Sequence, residues 1–230
     1  MDTKYWGPSG HKLLHSIAYC YSFNQYEDDI QKNKVISFFN SIKYVLPCIY
    51  CRRSYSQYIK DIPLRSFLKT KKNNLFKWIY IIHNKINDKL RKQGYLSKKN
   101  PKYNTILSNY NKYVKKIKNC YIVGWDFLYS IIFDYPQYSF ELSDSRYNGY
   151  LTFFTNLQYL LPCKKTRNIY INHSEKYPLE DYMKTRDDFK KWLYKFERKV
   201  KKNCYTFENR CKKVLKYKVE TCKNNSCRKD

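Results

Sequence analysis

Apolar residues recur along most of this chain at spacings of three and four, the period of a helix with one buried face. After the breakers Gly7, Pro8 and Gly10, the run Leu13, Leu14, Ile17 and Ala18 predicts a first helix. Residues 27–46 open with Glu27, Asp28 and Asp29 and carry Ile30, Val35, Phe38, Phe39, Ile42 and Val45 inside. Pro47 stops this second helix, and a shorter third is expected from Ile49 to about Lys60. The fourth starts at an Asn cap and bears the stripe Leu75, Trp78, Ile82, Ile86 and Leu90. Four helices with short connections predict an all-α bundle over residues 1–95. No run of alternating strands and no dinucleotide-binding glycine fingerprint competes with that reading.

The polar stretch that follows holds Gly94 and Pro101 and reads as a linker at 96–119. Beyond it the sequence repeats itself at an offset of 114 to 115 residues. HKLLHS (11–16) matches WDFLYS (125–130), and VISFFNSIKYVLPC (35–48) matches YLTFFTNLQYLLPC (150–163). IPLRSFLKT (62–70) matches YPLEDYMKT (177–185), and Trp78 falls on Trp192. Two lysine-rich helical stretches would look alike by composition alone, but they would not share Pro-Cys and Trp anchors in the same order. The expectation is a tandem duplication, with a second helical bundle at 120–203 and a basic, cysteine-containing tail at 204–230.

Composition changes the picture in two ways. The formal net charge of +27 over 230 residues would attract nucleic acid or acidic proteins. The basic residues are spread along the chain, however, and an A/T-rich genome accounts for the abundance of Lys, Asn, Ile and Tyr. The opening MDTKYWGPSG lacks the apolar stretch of an export signal, and no apolar run approaches the roughly 20 residues of a membrane span. Nine cysteines without an export signal point to catalytic or metal-binding thiols.

Three groups of residues are candidates for chemistry. Cys48-Ile-Tyr-Cys51 follows Pro47 at the start of a helix, where partial positive charge and unpaired N–H groups favour a thiolate. Half a zinc site, or two ordinary buried thiols, would show the same spacing. On the fourth helix, His83 and Asn87 share a face while Asn84 points about 100° away. Polar groups within an apolar helix need partners, supplied by a bound polar cofactor or by solvent. His11 and His15 are four apart on the first helix, as a surface pair or part of a metal site would be; no HExxH pattern appears and no metal is expected.

Taken together, WG-x3-HKLLHS, PCIYCRRSY and WIYIIHNKINDKLRK resemble the Erv/ALR family of FAD-linked sulfhydryl oxidases, over residues 6 to about 95. The resemblance implies a helical bundle around FAD, with Cys48 exchanging with the substrate and Cys51 facing the flavin. It places Gly7, His11, His15, Tyr55, His83, Asn84, Asn87, Leu90 and Lys92 at the cofactor, with His11 where the family usually has Trp. The family's Cys and Trp beyond the fourth helix have no match near Tyr95–Tyr103. The implied partners are a protein dithiol and oxygen, with hydrogen peroxide as product and a homodimer as assembly. Family members of this kind in A/T-rich genomes resemble those of large DNA viruses, which places the chain in the host cytoplasm or virion.

In the second copy Cys163 matches Cys48, but Thr166 replaces Cys51 and Tyr129 replaces His15. Glu197, Arg198 and Lys201 replace His83, Asn84 and Asn87, while Trp125 stands where the first copy has His11. A pseudo-oxidase domain for dimerisation or docking is expected. In the tail, Cys222 and Cys227 form a candidate shuttle pair, against structural disulfides or a zinc site that would also use Cys204 and Cys211. The rival class is a basic nucleic-acid-binding virion or scaffold protein without redox activity.

Overall fold

The computed structural model describes residues 1–23, 29–68, 74–117, 123–138, 145–201 and 204–223, and no strand forms among them. The first half contains α1 (Thr3–Phe23), α2 (Asp29–Val45), α3 (Ile49–Asp61), a 3-10 turn (Leu64–Phe67), α4 (Leu75–Lys92) and α5 (Tyr103–Ile117). The second half follows in the same order with α6 (Trp125–Phe133), α7 (Ser145–Leu160), α8 (Lys164–Lys176), the short α9 (Leu179–Tyr182), α10 (Arg186–Val200) and α11 (Phe207–Lys223). No helix among the described residues is long and apolar enough to cross a membrane.

Several local expectations need correction. α1 begins at Thr3 and runs through Pro8, so the glycines and proline do not mark its start. Gly10 is there for packing: a Cβ would lie 3.0 Å from the Phe127 ring of α6. Asn74 stands at the N-cap of α4 but makes no side-chain cap bond; Ser22 Oγ, from the end of α1, accepts from the Phe76 N–H at 3.0 Å instead. The stretch expected as a linker contains α5, whose Tyr103, Ile106, Leu107 and Tyr110 form a helical stripe packed on the core. The tail likewise contains α11, which buries Arg210 and Val214. Abundant Lys and Asn on the outer faces masked both stripes in the sequence.

The same hydrogen bonds recur in the two halves. Tyr55 donates to the Phe39 carbonyl at 2.9 Å, and Tyr170 to that of Phe154 at 2.8 Å. The fully buried Trp78 and Trp192 donate from Nε1 to Ile62 and Tyr177 at 2.8 and 2.9 Å. Arg52 and Arg167 each reach back to the carbonyl six residues earlier, Leu46 and Leu161, at 2.6 Å. Each pair ties a helix to the one before it; the Arg and Trp bonds also satisfy carbonyls at helix ends that helix geometry leaves without a partner.

The halves pack on each other with their contacts exchanged in pairs. Gly10 of the first half meets Phe127, and its counterpart Gly124 meets Leu13, the counterpart of Phe127. Gly124 also has φ +106, which a side chain would strain. Gly149 of α7 lies on Tyr44, while Lys34 Nζ sits 3.5 Å over the ring of Tyr159, the counterpart of Tyr44. Phe38 and its counterpart Phe153 stack on each other at 4.8 Å. A residue meeting its own counterpart, with other contacts swapped around it, is the signature of a two-fold relation. One continuous core results, with α2 and α7 at its centre.

Candidate functional site

α2 ends at Val45, and after Pro47 the chain turns into α3 with Cys48 as N-cap, φ −158° and ψ 122°. The Cys48 Sγ accepts from the Cys51 N–H at 3.3 Å, doing what a Ser or Asp cap does elsewhere. A hydrogen bond from the Cys51 thiol and the N–H groups of Cys51 and Tyr50 pull the Cys48 thiol down to about 6, against an opposing effect of burial. Cys51 is pushed up, first by that same bond to Cys48, then by burial; Lys89 of α4 partly opposes this. The pair therefore holds one thiolate, on Cys48, and one thiol, on Cys51. Arg52 fixes the start of α3 by bonding the Leu46 carbonyl and, at 2.9 Å, Asp134 of the second half.

The three first-half histidines converge. His11 and His83 stack at 3.6 Å with planes 7° apart, and His15 packs edge-on to His83 at 5.2 Å. Burial first, then mutual repulsion, holds His11 well below its ordinary value and His15 at about 3; burial lowers His83 to about 4. All three are neutral near neutral pH. Their nitrogens lie within 4.8 Å of one another, close enough to be weighed as a metal site. Stacked parallel rings cannot both hold one ion in their planes, so the geometry suits an aromatic stack better than chelation.

Around this cluster the remaining positions that the resemblance implies for a cofactor differ in their surroundings. Asn84 is half-buried on α4, and Asn87 Nδ2 donates to Asn100 Oδ1 at 3.1 Å. Leu90 is half-buried and Lys92 exposed at the end of α4, while Lys89 Nζ donates to Ser54 Oγ on α3. Gly7 has open space where a Cβ would point. Tyr55 is buried and uses its hydroxyl on Phe39, as Tyr170 does on Phe154, so this residue ties α3 to α2 in both halves. Sequence reasoning missed Tyr110 of α5, which stacks on His15 at 5.2 Å and donates to the His11 carbonyl at 3.4 Å. Its place in the stripe Tyr103, Ile106, Leu107, Tyr110 was the available signal. Cys227 and the side chain of Cys222 lie outside the described residues.

At the matching place in the second half a buried ion pair takes the position of the histidines. Glu197, the counterpart of His83, is fully buried and accepts from the Tyr129 hydroxyl at 2.9 Å and from Arg210 Nε at 3.1 Å. Arg210 Nη2 also bonds Glu197, and the guanidinium lies 4.9 Å over the Tyr129 ring. Cys163 caps α8 in position but makes no cap bond, and Thr166 buries its Oγ1 without a partner among the described residues.

The profile of the Erv1/Alr family matches residues 8–106 and again 123–220. The chain belongs to the Erv1/Alr family. Two curated relatives match part of this Erv1/Alr chain. A probable FAD-linked sulfhydryl oxidase of Acanthamoeba polyphaga mimivirus is 38% identical over 87 residues, 38% of this chain and 59% of the relative. The mitochondrial FAD-linked sulfhydryl oxidase of Saccharomyces cerevisiae is 32% identical over 91 residues, 40% of this chain and 46% of the relative. The Erv1/Alr chain thus spans about half the length of the curated relatives it matches. No solved structure matches it significantly.

Proposed function

We propose that the chain is an FAD-dependent sulfhydryl oxidase, with Cys48 and Cys51 as its redox pair and a catalytically silent second half. The observation that carries this reading is the Cys48 cap, where helix N–H groups and the Cys51 thiol together stabilise a thiolate. A substrate thiolate attacks Sγ of Cys48 in the oxidised pair, the bond to Cys51 breaks, and Cys51 departs as thiolate near Lys89. The second substrate thiolate then attacks the substrate sulfur of the mixed disulfide and releases Cys48. A thiol of low pKa leaves readily, so the N-cap drives disulfide donation forward.

The first-half residues fit the cofactor chemically. The rings of the buried His15 and the half-buried His11 and His83 offer neutral aromatic surface, and Asn84 and Asn87 offer amides. Gly7 leaves room beside them, Leu90 adds an apolar contact, and Lys92 brings a cation for phosphate. Tyr55 would border the site while holding α3. Bound FAD would supply the two-electron acceptor that restores the Cys48–Cys51 disulfide. With oxygen as final acceptor, one dithiol and one O2 give one disulfide and one hydrogen peroxide.

In the second half Thr166 removes the redox pair and the buried Glu197–Arg210 pair stands in place of His83, so that half holds no flavin. It packs on α2 through α7, and the assembly remains the homodimer that the resemblance implies. The mimivirus relative supports a viral origin, with action on protein dithiols in the host cytoplasm or virion. The test is the full chain loaded with FAD: a yellow protein absorbing near about 450 nm that consumes oxygen with dithiothreitol, both properties of a flavin oxidase. Cys51→Ser should keep the colour and lose the oxygen uptake. A chain that stays colourless and consumes no oxygen overturns the proposal.

A further inference from the structure

Beside the redox pair runs a groove of about 470 Å³ lined by Lys43, Ile49, Arg52, Arg53, Lys60 and Arg146 among others. It starts at Ile49, the residue after Cys48, which is 48% exposed, and follows one face of α3. Arg146 reaches it from α7, so the second half completes the wall. None of the lining residues is acidic. Two carboxylates stand next to it. Asp134 is bridged between Arg52 and Arg146, at 2.9 and 3.2 Å, and Asp61 accepts from the lining residue Gln57 at 2.6 Å. Five cations against two acids leave the groove strongly positive.

The second half differs from the first at the groove's outward cations. Lys43, Arg53 and Lys60 correspond to Gln158, Asn168 and Glu175, while Arg52 and Tyr44 are kept as Arg167 and Tyr159. The residues that hold the fold together persist in both copies. The second half instead carries Lys164, Lys165 and Lys176 where the first has Ile49, Tyr50 and Asp61, so its cations lie at other positions and the arrangement of Lys43, Arg53 and Lys60 belongs to the copy with the second cysteine.

We propose that this groove docks an acidic segment of the thiol substrate, next to the cysteines that attack Cys48; the proposal rests on the sulfhydryl-oxidase reading above. Carboxylates on the substrate meet Lys43, Arg53 and Lys60, and an apolar side chain rests on Ile49 and Tyr44. The positive field brings such a segment to Cys48 faster than a neutral or basic one. Nucleic acid would satisfy the charge as well, but a substrate thiol must come to this point of the surface and a nucleic acid need not.

The experiment uses the full-length, FAD-loaded protein and two peptides with the same Cys-x-x-Cys core, one flanked by Glu and one by Lys. Dithiothreitol oxidation by the wild-type protein is measured first, since its absence refutes the oxidase reading itself. The Glu-flanked peptide should show a kcat/KM about tenfold higher at low salt, and the preference should shrink as salt screens the charges. A variant carrying the second half's own residues, Lys43→Gln, Arg53→Asn and Lys60→Glu, should lose it. Binding of a dye-labelled Glu-flanked peptide with both cysteines replaced by serine, followed by anisotropy, should weaken in parallel. Lys60→Glu alone, at an exposed position, gives the same readout if the triple variant folds poorly. Dithiothreitol oxidation with equal rates on both peptides overturns the docking proposal and leaves the oxidase reading intact. A groove that binds a single-stranded oligonucleotide through these three residues while ignoring the acidic peptide also overturns it, in favour of nucleic acid.

Discussion

The pairing of Cys48 with Cys51 makes a quantitative prediction for Cys51→Ala in the reduced protein. The cap and the Cys51 thiol hold Cys48 at about 6 rather than the ordinary 9.0, with the Cys51 thiol as the largest cause. Removing that thiol should return Cys48 towards the ordinary value. At about pH 5.5 a full return lowers the thiolate fraction roughly 800-fold, while the more basic thiolate gains about 20-fold in intrinsic nucleophilicity, a net loss of about 40-fold. At about pH 9 the order reverses, and the variant reacts about tenfold faster because both thiols are then largely ionised. The two pH–rate profiles should cross between about pH 7 and pH 8. The assay is iodoacetamide labelling with the modified sulfur located by fragment mass spectrometry, because Cys51 shares the peptide. Retention of the N–H groups of Cys51 and Tyr50 makes these figures upper bounds. Parallel profiles, or a wild-type Cys48 that titrates near 9, would refute the reasoning.

Gly149→Ala places a Cβ 2.4 Å from the Tyr44 Cβ, which no rotamer change relieves. Overpacking of this kind costs about 1–3 kcal/mol, so thermal unfolding should shift down by roughly 2–4 °C per kcal/mol; an unchanged melting temperature would remove α7 from the face of α2. Arg210→Met leaves the Glu197 carboxylate buried with Tyr129 and Lys201 as its partners among the described residues, and should cost about 3–5 kcal/mol in urea unfolding. The loss should be larger than that of Arg210→Met combined with Glu197→Gln, and the reverse order would contradict the buried pair. Acid should also unfold the protein through His11, His15 and His83. Unfolded, each takes up a proton at the ordinary 6.5, but folded they stay neutral to about 4 or below. Stability is therefore full above 6.5 and falls with pH below it, by at most about 1.4 kcal/mol per histidine per pH unit. A His83→Asn variant with the same slope between about pH 6 and pH 4 would show that His83 is not buried neutral.

Some of this was legible in the sequence because it depends on spacing. Leu13, Leu14, Ile17 and Ala18 repeat at helix period, and the Pro47–Cys48 step marks where α3 must start. The paired anchors Trp78 and Trp192 announced two similar halves. What stayed hidden depends on tertiary contact. Gly10 looks like a breaker until Phe127 lies on it, and Asn74 looks like a cap until Ser22 arrives from α1. Tyr110 sits in a segment whose Lys and Asn content resembles a linker, and only its meeting with His15 gives it a role at the site. His11, His15 and His83 were separate candidates, and α1 and α4 bring them into one stack. The sequence showed that Glu197 replaces His83, but not that Arg210, thirteen residues on, would close over it.

The Glu197–Arg210 pair also limits what the second half can become. To recover a histidine at position 197 by one mutation strands the Arg210 guanidinium, which is only 3% exposed, with Asp126 as its remaining acid. To change Arg210 first strands the carboxylate instead. Either order passes through a protein several kcal/mol less stable, a large share of the 5–15 kcal/mol that typically separates folded from unfolded chains. The substitution therefore acts as an evolutionary ratchet. Once the carboxylate and guanidinium had closed on each other, drift could move the outer surface of this half freely, but the road back to histidine at this place crossed a valley. The neutral rings of His11, His15 and His83 in the first half carry no such lock and remain open to adjustment one residue at a time.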